Sequence, residues 1–137
     1  MSAKGNTFEN DVVLLTFNAT AYSWNANTNL YVALHTADPG EAGSQTTSEC
    51  AFGSYARVTV ARSGSGFTVS GDTASNAAVI AFPECTSGSE TVTHVSIGTA
   101  SSGAGQILYK GALTASRSVS SGITLQFAIG ALQVTEA

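Results

Sequence analysis

A strand that runs straight into a proline turn constrains this chain more than any other segment. From Asn29, the residues Leu30, Val32 and Leu34 recur with period two, and Tyr31, Ala33 and His35 alternate with them. The two sets therefore fall on opposite faces of a β-strand. Asp38-Pro39-Gly40 stops it, because proline fixes φ and removes a donor while glycine accepts the positive φ of a tight turn. The chain must leave its sheet here, and the polar loop from Gly40 to Gly53 follows.

Strand patterns recur at short intervals beyond that loop: 55–61, 67–70, 77–82, 91–98, 107–113, 123–129 and 132–135. Turn residues separate them at Ser63-Gly64-Ser65-Gly66, Gly71-Asp72, Ser87-Gly88, Ser101-Ser102-Gly103 and Ser121-Gly122. The pattern predicts a mainly β protein, an antiparallel β-sandwich or barrel of about seven or eight short strands. One helix precedes it. Thr7 can cap a helix that opens at Phe8, with Glu9 and Asp11 in the first turn, where the helix dipole favours acid. Phe8, Val12, Leu15 and Ala19 keep helical spacing, and Val13, Leu14 and Phe17 widen the apolar surface beyond one stripe. Such a helix is expected to pack on its own domain with one side and on another chain with the other. The 137 residues are expected to form a single domain, 1–137, with the helix within 7–21 and the sandwich over 29–136.

Composition narrows the functional classes. Only 10% of residues are charged and the formal charge is -4, so the surface must be dressed with Ser, Thr, Asn and Gly. Lys4, Arg57, Arg62, Lys110 and Arg117 are scattered, and no basic stripe exists to neutralise phosphates, which argues against nucleic acid as a partner. No apolar run approaches the ~20 residues of a membrane span. The first fifteen residues hold Glu9 and Asp11 and lack a basic start followed by an apolar block, so synthesis and assembly in the cytoplasm are expected. Cys50 and Cys85 stand 35 apart, without metal-site spacing. Free thiols remain open for them, as does a disulfide within the chain or to a neighbouring subunit.

Nothing in the residue pattern assembles a catalytic, cofactor or metal site. His35 and His94 lie on strand faces without a third ligand in register, and are expected to make ordinary hydrogen bonds. Asp38 could orient His35, but an Asp before Pro-Gly more often bonds its own backbone. No Gly-x-Ser-x-Gly elbow occurs. Gly64-Ser65-Gly66 and Gly103-Ala104-Gly105 lack the remainder of a nucleotide loop and read as hairpin glycines. Glu41, Glu49, Glu84 and Glu90 could chelate calcium or pair as glycosidase acids, although turn carboxylates are more often simply solvated. The sequon Asn18-Ala19-Thr20 lies on the helix, outside any secretory context.

The run Thr28-Asn29-Leu30-Tyr31-Val32-Ala33-Leu34-His35-Thr36-Ala37-Asp38-Pro39-Gly40-Glu41-Ala42-Gly43 resembles small virion proteins of tailed bacteriophages, often labelled tail fibre or minor tail proteins. The likeness continues through Tyr55-Ala56-Arg57-Val58, Asn76-Ala77-Ala78, Ile80-Ala81-Phe82-Pro83, Val92-Thr93-His94, Ile97-Gly98-Thr99-Ala100, Gly111-Ala112-Leu113 and Gly130-Ala131-Leu132. The resemblance implies a non-enzymatic structural protein of the virion, homo-oligomeric and bound to other virion proteins, either the major capsid protein or tail proteins. A fibre shaft needs a repeat, a coiled coil or a long intertwined β-region, and this chain shows none. A capsid decoration (cement) protein is therefore the favoured expectation, with a fibre-associated or minor tail protein as the alternative.

On either reading, repeated contact area around a symmetric assembly would supply the binding. The contact elements expected are the helix, Trp24 and the loop Gly40 to Gly53, with Phe8, Phe17, Trp24 and Phe52 as candidate apolar anchors, each of which could equally be core. A rival class is a module for host surface glycans, with Tyr31, Tyr55 and Tyr109 as a candidate platform. A third, least favoured, is an enzyme acting on cell-wall material.

Overall fold

A computed structural model describes residues 3–136. It is mainly β, with one short helix and ten strands in three antiparallel sheets, stacked as a sandwich and not closed into a barrel. The main sheet has the order β1-β8-β7-β2-β3: β1 (Ala3–Lys4), β8 (Ile107–Ser120), β7 (Ser89–Gly98), β2 (Asn29–His35) and β3 (Val58–Ala61). A second sheet orders β10 (Gln133–Thr135), β5 (Thr73–Asn76) and β4 (Phe67–Ser70), and a third pairs β6 (Ile80–Ala81) with β9 (Gln126–Phe127).

The period-two strand lies at the heart of the main sheet. Val32 pairs with Ile97 and Leu34 with Val95, and these four are buried in the main core with Ile80, Phe82, Val92, Val119 and Leu132. The opposite face carries Ala33 against Ser96 and His35 against His94. Ala33, His35 and Ser96 are also fully buried. The reason is the loop that follows the proline turn. Its segment 44–50 is fastened to the sheet: Thr36 N donates to Ser48 O (2.9 Å), Cys50 N to Leu34 O (2.9 Å) and Gln45 N to Gly105 O (2.9 Å). A polar loop thus covers a strand face that its alternating pattern leaves half apolar.

Several expected boundaries shift. The helix, α1, spans Asn6–Asn18, starting one residue before and ending three residues before the expected 7–21, with Gly5 and not Thr7 at its cap position and no side-chain cap. Gly5 passes so near β8 that a Cβ would meet Ile107 O at 2.4 Å, and Asn6 N donates to Glu41 O (2.8 Å). β8 extends seven residues past the expected Leu113, through a bulge in which Val92 pairs with Arg117 but His94 with Ala112. β5 falls between the expected strands 67–70 and 77–82, and residues 55–57 precede β3 as irregular chain. Asp38 closes its own turn by accepting from Gly40 N (2.9 Å), as its place before Pro-Gly implies, and also meets Lys110 Nζ at 2.9 Å.

Candidate functional site

Three of the four candidate aromatic anchors lie inside the chain. Phe8 is 6%, Trp24 9% and Phe52 5% exposed, so the apolar surface each carries is already spent on the fold. Phe52 packs in the main core, while Phe8 and Trp24 form a second cluster with Leu108 beneath the helix. Phe17 alone stands out, at 80% exposed on the last turn of α1, with Val13 (54%) one turn before it. Glu9, Val13 and Phe17 are spaced four apart and all exposed, so they share the outer face of the helix.

The second cluster walls a groove of about 390 Å3 between α1, the main sheet and the β4-β5-β10 sheet. Its apolar lining comes from Phe8, Leu30, Phe67, Val69, Leu108 and Val134, with Arg62, Asp72 and Glu136 among its polar residues. Trp24 is held from two sides. Tyr22 stacks on it with centroids 4.6 Å apart and planes at 6°, and the Arg62 guanidinium lies 4.7 Å from the ring centroid. Arg62 Nη1 donates to Asn25 O (2.9 Å) and Asn27 O (3.2 Å). Trp24 Nε1 is buried without a hydrogen-bond partner among the described residues. At the other wall, Tyr109 meets Phe8 edge to face at 5.4 Å and donates its hydroxyl to Glu136, which also pairs with Lys4. Burial, then the Glu136 carboxylate, raises the Tyr109 phenol above its ordinary range, and the Lys4 and Tyr109 hydrogen bonds hold Glu136 below the usual carboxylate range.

A second polar group locks the loop. Arg57 grips Glu49 in a bidentate pair, Nε to Oε2 at 2.7 Å and Nη2 to Oε1 at 2.9 Å, and donates further to Ala100 O (2.9 Å) and Gly103 O (2.7 Å). The Tyr55 hydroxyl donates to Glu49 Oε2 (2.7 Å) and accepts from Leu34 N (3.1 Å). His35 Nδ1–H donates to Thr47 O (2.8 Å), which leaves Nε2 to accept from the Ser96 hydroxyl (2.8 Å). The arrangement is a fastening: the imidazole is fully buried, with both ring nitrogens committed to hydrogen bonds. The loop Gly40 to Gly53, expected as a contact element, therefore spends its inner side on its own sheet.

The tyrosines expected as a glycan platform do not converge. Tyr55 points inward, Tyr109 lines the apolar groove, and Tyr31 lines a separate polar hollow with Asn27, Asn29, Ser101 and Ser102. Cys50 and Cys85 are buried free thiols, and burial pushes the Cys50 thiol up to about 12. Cys85 Sγ faces Ser87 O at 3.2 Å. Among the described residues no group of three or more His, Cys, Asp or Glu could hold a metal ion, and no helix is long and apolar enough to cross a membrane. The Glu49–Arg57 pair and the Arg62–Trp24 contact escape sequence reasoning, since their partners lie in different loops and no spacing announces them.

Comparison with known proteins adds one finding. The family model described as Podophage GP4 fiber I protein gp80 matches residues 3–135, nearly the whole chain. No curated protein matches the sequence.

Proposed function

This chain belongs to the podophage GP4 fiber I protein gp80 family, phage fibre structural proteins, and we propose that it acts as a non-enzymatic fibre subunit on the tail of a podophage particle. The family match over residues 3–135 carries this reading. It favours the fibre alternative over capsid decoration, for which the family offers no support. The chain lacks a shaft-forming repeat, so its part in a fibre is that of a compact globular module. Homo-oligomerisation and contacts with other tail proteins supply its binding energy, and the outer face of α1 supports that view, because it leaves Val13 and Phe17 uncovered one turn apart, and aromatics concentrate binding energy at interfaces.

Antibody labelling of purified particles in the electron microscope tests the reading. Gold at the tail supports it. Gold distributed over the head returns the chain to capsid decoration, and unlabelled particles with free protein in the lysate end the virion reading.

A second, narrower reading attaches to the Tyr31 hollow, where one half-exposed ring sits among Asn27, Asn29, Ser101 and Ser102. One aromatic beside amide and hydroxyl groups is the composition of a weak sugar site. Binding on an array of bacterial surface glycans, abolished by Tyr31→Ala, would support it.

A further inference from the structure

The molecule carries an apolar groove without a filling and an apolar knob without a seat. The groove beneath α1 has about 390 Å3 of space, and Val69 on its lining is 72% exposed. The knob is Phe17, with Val13 beside it on the outer face of α1. The lining suits an apolar side chain better than a sugar, because Leu30, Val69, Leu108 and Val134 supply much of it and Trp24 is already covered by Tyr22 and Arg62. Burying one large aromatic removes roughly 150–250 Å2 from water, an anchor of the kind that dominates protein interfaces.

Charge indicates which protein. At the groove, Glu136 is matched by Lys4, whereas Arg62 donates only to backbone carbonyls and has no carboxylate partner among the described residues. Asp72 lies at the far end, at the β4–β5 turn. The only charges on α1 are Glu9 and Asp11. Asp11 already accepts from Gln106 Nε2 (2.9 Å), while Glu9 is exposed, unpaired among the described residues, and on the same face as Val13 and Phe17. The unspent acid of the helix face thus complements the unspent base of the groove.

We infer that the Glu9–Val13–Phe17 face of α1 in one copy seats in the Phe8–Phe67–Val69 groove of a neighbouring copy, with Glu9 facing Arg62. Face and groove are different patches of one surface, so the contact is heterologous and repeats head to tail from copy to copy. The inference rests on the fibre-subunit reading and specifies the contact that would build its oligomer.

Native mass spectrometry and sedimentation of the full chain test it, with Phe17→Asp and Val69→Arg as variants. Both sites are exposed, so a cooperative thermal melt and a wild-type far-UV circular dichroism spectrum of the dissociated variants would show that folding is preserved. An oligomer that each variant weakens by about 30-fold or more in dissociation constant is expected. Copies carrying Phe17→Cys, mixed with copies carrying Val69→Cys and oxidised, should give the mixed disulfide dimer. A wild-type chain that stays monomeric at about 100 μM, well above the Kd of a functional contact, overturns the inference. So does cross-linking of Phe17→Cys copies only to one another. A wild-type oligomer indifferent to both variants removes this contact while leaving the fibre reading intact, which tail labelling decides separately.

Discussion

Gln45 lies in a slot that exists because residue 98 is glycine: a Cβ there would fall 2.2 Å from Gln45 Cδ. Gly105 shapes the same slot, since its Cβ would come within 1.9 Å of Gln45 Oε1. With no side chain in the way, Gln45 Oε1 accepts from Ala100 N (3.0 Å) and ties the loop after β2 to the β7–β8 turn. Gly98→Ala must push a buried amide out of place. The expected loss is about 1–3 kcal/mol of unfolding free energy, the range for overpacking, read as a lower urea midpoint at unchanged m-value.

The Glu49–Arg57 pair is largely withdrawn from water, with side chains 14% and 3% exposed. Removing one partner leaves the other charge stranded. Glu49→Gln is expected to cost about 3–5 kcal/mol, whereas a Glu49→Met, Arg57→Met double variant should lose much less than the sum of the single changes. A double-mutant cycle in urea measures the coupling. An additive result would show that the pair does not hold the loop.

Burial holds the His35 imidazole below its ordinary 6.5, outweighing the upward pull of the Thr47 carbonyl and Glu49, with Arg57 and His94 adding to the depression. The unfolded chain therefore binds this proton before the folded one does. His35 contributes its stability in full above pH 6.5, and that contribution is lost as pH falls through 6.5 towards the folded value, at up to about 1.4 kcal/mol per pH unit. Urea unfolding between pH 7.5 and 5 should show this slope in the wild type and a flatter one in His35→Gln. Equal slopes would contradict the buried neutral histidine.

Ala19 closes α1 in the left-handed region, at φ 54° and ψ 30°, where Thr20 N donates to Leu14 O (3.2 Å). Alanine pays a steric penalty there that glycine does not. Ala19→Gly should stabilise the chain by about 1 kcal/mol, visible as a higher Tm; an unchanged or lower Tm would contradict strain at this cap.

How far the fold is legible in the sequence follows from periodicity. Leu30–Leu34 reads correctly because one strand face lies in the main core, and Asp38-Pro39-Gly40 because the turn is local chemistry. β5 (Thr73–Asn76) is Thr-Ala-Ser-Asn, with no apolar alternation to mark it. β8 is read only to Leu113 because the bulge at 113–116 breaks its period. The aromatic residues mark where apolar area is spent but not on which partner. Phe8, Trp24 and Phe52 spend it inside the chain and Phe17 does not, a difference set by contacts far apart in sequence. Gln45, the key of the loop, carries no local signal at all.

Copy number per particle tests the fibre assignment most directly. Quantified against the major capsid protein in purified virions with an isotopic standard, a tail fibre subunit should be present at on the order of ten copies, set by the symmetry of the tail. Hundreds of copies, matching the capsid lattice, would contradict it.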